Sequence, residues 1–225
     1  MNTLEMILIG LLSSPANAQE YNEFMFSRNP SFFLEKYTSG KSEVESLAKS
    51  LVGSNDSIYK KIEKIYGYVV KNTKYVDDPV DVDLVKTARE TLDNGGDCED
   101  LTLLMISLLE NVDVNTYFVE GRLHIALLAG PVSYEEIYSR RKWGLIEYYT
   151  IPNVEGKYLF LESTSKGYTY PGDPGSVVID RGLVVDSDSY EIVGRIGVRP
   201  FRVMDYKIWR TDEQFYAKKE KIGGH

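Results

Sequence analysis

The sequence predicts an α+β fold, with helices grouped against an antiparallel sheet. Two observations carry this. Between residues 42 and 109, apolar side chains recur at helical spacing; beyond residue 115 they gather in short β-prone runs separated by turn residues. The chain has 225 residues, 43% hydrophobic and 27% charged, which suits a globular protein able to bury a full core.

The elements follow in order. Met6 to Leu12 is a short apolar run, and Ser-Pro-Ala16-Asn-Ala18 after it resembles a signal-peptide cleavage site. No Lys or Arg precedes the run, whereas Glu5 does. Leu4, Ile7, Leu8, Leu11 and Leu12 also fit one helical face. The expectation is a retained segment and a cytoplasmic rather than exported protein. The run is too short to span a bilayer. Residues 20–56 are mixed, with a break at Asn29-Pro30 and a helix over Ser42–Val52, where Val44, Leu47, Ala48 and Leu51 share a face. Ser57 to Lys71 is a strong helix through Ile58, Ile62, Ile65, Tyr66 and Val69. An acidic loop, Asp77 to Asp83, leads towards a buried helix that starts at residue 98.

The second half reads as strands. Runs 116–119 and 123–129 flank a turn at Glu120-Gly121-Arg122. A helix is expected over Glu135–Arg141. Tyr148–Ile151 and Tyr158–Leu161 form a hairpin across Pro152 to Lys157. Gly167 to Gly175 is a turn-rich loop able to rim a groove. Val177–Ile179, Leu183–Val185, Glu191–Val198 and Phe201–Trp209 suggest further strands, and the last 15 residues an exposed helix or tail.

The single cysteine carries the functional argument. In Asn94-Gly95-Gly96-Asp97-Cys98-Glu99-Asp100, a glycine pair leads into an aspartate suited to cap a helix. Cys98 then takes the first helical position, ahead of Leu101, Leu103, Leu104, Met105, Ile106, Leu108 and Leu109. Free backbone N–H groups and the positive helix end favour a thiolate there. A lone cysteine is ordinarily a small buried hydrophobe. Such a residue needs neither a glycine approach nor three flanking carboxylates.

A cysteine nucleophile needs a base. Of two histidines, His225 ends the chain and His124 opens the strand after the Glu120–Arg122 turn. A third group should orient the imidazole. Tyr158-Leu-Phe-Leu-Glu162 is a strand carrying a carboxylate among apolar residues, and a buried Glu162 would need a partner such as His124. The alternatives are a structural histidine and an edge-strand glutamate facing water.

The order Cys98, His124, Glu162, on Gly96-Asp-Cys-Glu-Asp100, Leu123-His-Ile-Ala-Leu127 and Leu161-Glu-Ser-Thr164, resembles the transglutaminase-like cysteine peptidases, a branch of the papain-like fold. Tyr68-Val-Val-Lys-Asn-Thr-Lys-Tyr75 and Thr87-Ala-Arg-Glu-Thr-Leu92 extend the resemblance, which looks closest to archaeal members. The family often has Asp-Pro-Thr where this chain has Glu162-Ser163-Thr164. The resemblance implies an N-terminal helical extension over 1–56, a transglutaminase-like catalytic core over 57–180, and C-terminal strands and a charged tail over 181–225. In that core the nucleophile helix packs on an antiparallel sheet.

It also implies a cysteine-dependent amide hydrolase that passes through a thioester and takes a protein or peptide substrate. Acyl transfer to an amine, as in a transglutaminase, and a non-catalytic binding module with this fold remain open. The Cys98 N–H should serve the oxyanion, with Tyr75 and Asn94 as candidates for the second donor. No cofactor is expected. Asp97, Glu99 and Asp100 could instead take calcium, but three adjacent carboxylates do not make six to eight ligands. A net charge of −8 argues against sequence-independent nucleic-acid binding. One cysteine excludes an internal disulfide.

Overall fold

The computed structural model describes residues 30–79, 84–121, 124–139, 146–151, 154–164, 170–173, 182–188, 192–196 and 201–203. The expectations for residues 1–18, for the strand at 177–179 and for the C-terminal tail lie outside them. Six helices are described: α1 (Pro30–Glu43), α2 (Glu45–Leu51), α3 (Ile58–Asn72), α4 (Ala88–Asn94), α5 (Cys98–Glu110) and α6 (Tyr134–Ser139). The strands are β1 (Asn115–Gly121), β2 (Ile125–Val132), β3 (Ile146–Tyr149), β4 (Lys157–Leu161), β5 (Gly182–Asp186), β6 (Ile192–Ile196) and β7 (Phe201–Val203). They form one sheet in the order β6-β5-β1-β2-β4-β3-β7, every pair antiparallel. This is the predicted α+β class. None of the described helices is long and apolar enough to cross a membrane.

The helix starts have local causes. Ser57 caps α3, its hydroxyl accepting from the Lys60 N–H at 3.3 Å. Thr87 and Glu90 form a reciprocal capping box on α4. Pro30 is the first described residue, and α1 runs from it. The expected helix over 42–52 is divided, because α1 runs to Glu43 and α2 starts only at Glu45.

Helix α5 is the centre of the molecule. Every residue from Glu99 to Leu109 is buried, so it is not amphipathic. It packs against α1, α2, α3 and α4 on one side and against β1 and β2 on the other. Each of its leucines removed from water contributes about 1.5–3 kcal/mol. Sheet residues alternate: Phe118, Ile125, Leu127, Ala129, Leu159 and Leu161 join the helices. Tyr117, Val119, Ala126, Leu128, Tyr158 and Phe160 form a second buried cluster.

The far end of α5 is held by one carboxylate. Glu110 accepts from Lys41 Nζ at 2.6 Å and from Tyr37 Oη, both on α1. It also accepts from Thr116 Oγ1 at 2.7 Å on β1 and from Ser187 Oγ just beyond β5. Burial, partly opposed by the Ser187 and Thr116 hydroxyls, pushes Glu110 up to about 7.

Candidate active site

The approach to Cys98 is built by close packing around two glycines. Helix α4 ends at Gly95, whose φ of +77° suits glycine and whose N–H donates to Thr91 O at 2.8 Å. The segment Lys74–Val76 lies alongside. Gly96 N–H donates to Lys74 O at 3.1 Å and Val76 N–H to Gly96 O at 3.0 Å. A Cβ on Gly95 would stand 2.5 Å from Lys74 O, and one on Gly96 would stand 2.3 Å from Asp100 Cβ. The glycines are therefore needed for space, and Gly95 also for its backbone angle. Asp100 folds back across Gly96, accepting from Lys86 N–H at 2.7 Å and Lys86 Nζ at 2.5 Å. Asp97 sits at the cap position of α5 but makes no capping hydrogen bond through its side chain.

His124 immediately precedes β2 and Glu162 immediately follows β4. These strands are antiparallel neighbours with Leu127 opposite Leu161, so the sheet itself brings the two side chains together. His124 Nε2 lies 2.7 Å from Glu162 Oε2. Glu162 is wholly buried. Its other oxygen accepts from Thr164 N–H at 2.8 Å and Thr164 Oγ1 at 2.5 Å, and its carbonyl accepts from Tyr66 Oη at 2.8 Å on α3. With Nε2 directed at the carboxylate, Nδ1 is the nitrogen left to act as a base.

Cys98 is half-buried at the start of α5. Its thiol donates to Glu99 Oε2 at 3.1 Å, and no hydrogen bond joins it to His124 among the described contacts. The backbone N–H of Ile125, the residue after His124, supports the sulfur. Thr102 Oγ1 donates to Ile125 O at 3.2 Å, fastening the same turn of α5 to the start of β2. The thiol is not the ready thiolate that a helix N-terminus would give. Burial first, then the charge of Glu99, push it well above the usual thiol range, against the pull of the Ile125 N–H.

The acidic cluster differs from the sequence expectation. Both oxygens of Asp100 are taken by Lys86, and its place beside Asp97 and Glu99 is filled by Asp78. One oxygen each of Asp78, Asp97 and Glu99 lies within 4.8 Å of the others. Asp78 Oδ1 and Asp97 Oδ1 are buried without a hydrogen bond, although Lys86 Nζ stands 3.6 Å from Asp78. Burial, then contact with Glu99, push Asp97 up to about 8. Sequence reasoning noted the Asp77–Asp83 loop but did not connect it to the cysteine; Lys86, Thr164 and Tyr66 were missed as supporting groups. Of the two residues considered for the second oxyanion donor, Asn94 spends its amide on Glu90 O at 3.1 Å. Tyr75 lies beside Gly96, and burial keeps its phenol protonated up to about 12.

Residues 45–146 match the model of the transglutaminase-like superfamily, a segment that contains Cys98 and His124 and ends at β3, ahead of Glu162. Over that segment the chain is similar to the transglutaminase-like superfamily. No curated protein matches the chain. Among solved structures, a candidate cysteine protease of Cytophaga hutchinsonii is 14% identical with a TM-score of 0.41, covering 81% of this chain and 55% of its own. The chain thus spans about half the length of that neighbour. LapG of Legionella pneumophila is 15% identical with a TM-score of 0.35, covering 76% of this chain and 87% of LapG. Its calcium-bound form is 14% identical with a TM-score of 0.34, covering 82% and 94%.

Proposed function

We propose that the protein is a cysteine-dependent amide hydrolase acting on peptide or protein substrates through Cys98, His124 and Glu162. The observation that carries this reading is the His124–Glu162 pair at 2.7 Å, its carboxylate wholly buried, next in sequence to the Ile125 N–H that supports the Cys98 sulfur. Glu162 accepts from Nε2–H and fixes the tautomer, so Nδ1 receives the thiol proton. The sulfur then attacks the amide carbonyl carbon, and the Cys98 N–H donates to the oxyanion, with Tyr75 as second donor. Collapse returns the proton from His124 to the leaving amine and leaves a thioester. His124 next takes a proton from water, whose oxygen attacks the thioester; the acid is released and the thiol is restored. In the resting protein Glu99 holds the thiol proton, so substrate binding must turn the sulfur from Glu99 towards His124.

The same reading gives Asp78, Asp97 and Glu99 a calcium ion. Their converging carboxylate oxygens are hard donors of the kind calcium takes, and Asp97 Oδ1 is buried without a hydrogen bond. When bound, the ion supplies positive charge beside the thiol. Calcium added to chelator-treated protein should raise its melting temperature and speed alkylation of Cys98 at neutral pH. If Asp78→Asn leaves both responses unchanged, the ion is not held there.

For the hydrolase itself, a mixture of capped peptides should yield new amino termini with the native protein and none with Cys98→Ala. Incorporation of a primary amine in place of hydrolysis would convert the assignment to a transglutaminase. A native protein that neither cleaves nor forms a thioester would overturn it.

A further inference from the structure

A charge taken out of water needs its oxygens met by donors. Glu162 lies just past the end of β4, so the strand ladder does not fix it. A glutamate also has three side-chain torsions, and left to itself it would swing its carboxylate off His124. The carboxylate is nonetheless wholly buried, and among the described residues no lysine or arginine pairs with it. Three hydrogen bonds reach it there, from only two residues. His124 Nε2 takes Oε2 at 2.7 Å. Thr164 supplies the other two, its N–H at 2.8 Å and its Oγ1–H at 2.5 Å, both to Oε1. Tyr66 Oη pins the backbone separately, donating to the Glu162 carbonyl at 2.8 Å. Ser163, the residue between, has its Oγ buried without a hydrogen bond, so it does not share the work. One donor on Oε1 would let the carboxylate pivot about that bond. Two donors, an amide and a hydroxyl on one residue, fix its plane and so the direction from which Oε2 meets the imidazole.

We infer that Thr164 is the positioning residue of the His124–Glu162 pair: its hydroxyl aims the carboxylate so that Oε2 keeps the Nε2–H proton and Nδ1 stays free to act as a base. Thr164 touches neither the sulfur nor the imidazole among the described contacts and works through Glu162 alone. The backbone N–H at position 164 survives any side-chain change, so the hydroxyl is the part that substitution can remove. The use made of Nδ1 rests on the hydrolase reading, whereas the hydrogen bond to Glu162 is observable without a substrate.

The experiment reads the imidazole by nuclear magnetic resonance on isotope-labelled full-length protein. The chain has two histidines, so in a His225→Gln background every ring signal belongs to His124. The Nε2–H bonded to a buried carboxylate should give a far-downfield proton that exchanges slowly with water. Thr164→Val keeps the shape and removes the hydroxyl; the same proton should exchange at least about tenfold faster, as expected for one lost hydrogen bond to a charged group. Thr164→Ser returns the hydroxyl and should restore slow exchange. On a capped peptide that the native protein cleaves, Thr164→Val should lower kcat about tenfold with KM unchanged, and Thr164→Ser should recover it. If Thr164→Val does not fold, Thr164→Ala, which lacks the same donor and adds no bulk, is read in its place. No downfield proton with Thr164 intact, native exchange without the hydroxyl, or a serine variant that behaves like valine overturns the assignment of Thr164. The expected exchange pattern in a protein that cleaves no capped peptide overturns the hydrolase and keeps Thr164; cleavage with exchange indifferent to the hydroxyl overturns Thr164 and keeps the hydrolase.

Discussion

The two ends of α5 both carry buried carboxylates and treat them in opposite ways. At the C-terminal end a single carboxylate, Glu110, is shared by four donors from α1, β1 and the residue after β5. At the N-terminal end Asp78, Asp97 and Glu99 converge, and two of their oxygens have no hydrogen bond. The first arrangement locks elements together, because every lone pair it buries is satisfied. The second gives up local stability, since like charges are held together out of water. A folded protein keeps such a deficit where something else is expected to arrive, and the thiol sits in its midst. The fully satisfied carboxylate and the unsatisfied ones thus stand at opposite ends of one helix.

The largest expected break of this contrast is Cys98→Ser. A poorly ionised hydroxyl replaces the sulfur, and amide cleavage should fall by roughly 10⁴-fold or more, as for loss of other covalent nucleophiles. The melting temperature should barely move, because a serine hydroxyl can keep both the bond to Glu99 and the one from the Ile125 N–H. A serine variant with full activity, or one that unfolds, contradicts the role. Glu162→Gln comes next. The imidazole would face an amide, and turnover should drop by roughly 10- to 10⁴-fold. The alkylation rate of Cys98 against pH should shift as well; superimposable curves would mean that Glu162 does not act through the histidine.

Glu110→Ala tests the other end. It leaves Lys41, Thr116 and Ser187 without their shared acceptor and should cost roughly 2–4 kcal/mol in urea unfolding. The activity of the folded fraction should be nearly unchanged. A variant that loses turnover in proportion to no loss of stability would dissolve the contrast. A smaller effect is expected for Glu99→Gln. Removing this charge lowers the thiol pKa, so alkylation near pH 7 should quicken by about tenfold, equivalent to about one pKa unit. Unchanged kinetics would show that burial alone sets the thiol.

The smallest effect is a pH slope. Glu110 is raised from an ordinary carboxylate value near 4.5 to about 7. Between those values the folded protein holds a proton that the unfolded chain has released. The Glu110 contribution is therefore complete below about 4.5 and declines as pH rises through about 7. Glu110→Gln should flatten that part of the stability profile, which urea melts at pH 5 and pH 7.5 would reveal.

Much of this was legible in the sequence for identifiable reasons. Apolar spacing and Ser57 announced α3, and the Gly95–Cys98 run announced the start of α5. A glutamate closing an apolar strand pointed to a buried partner, and Glu162 has one in His124. Helix α1 was not legible: Gly40 lies in its last turn, packed with its Cα against α4, where a Cβ would meet Ala88 N at 2.7 Å. Propensity argues against a helix at such a glycine, and tertiary packing decides otherwise. Asp78 was missed because nothing local ties residue 78 to residue 97; only the pairing of Lys74–Val76 with Gly96 brings that loop to the thiol. The protonated thiol was missed because the helix dipole is visible in sequence, whereas burial beside Glu99 is not.

His124 and Glu162 both belong to the sheet, as flanks of adjacent strands, while Cys98 belongs to the helical layer. The sheet can preserve its dyad without the nucleophile, and the helices can preserve the thiol without its base. The seam between them is sewn at Ile125 by Thr102 and the sulfur. If the three residues act together as proposed, turnover becomes a gauge of the seam: a molecule whose secondary structure survives but whose layers have slipped by a side chain's width would already be silent.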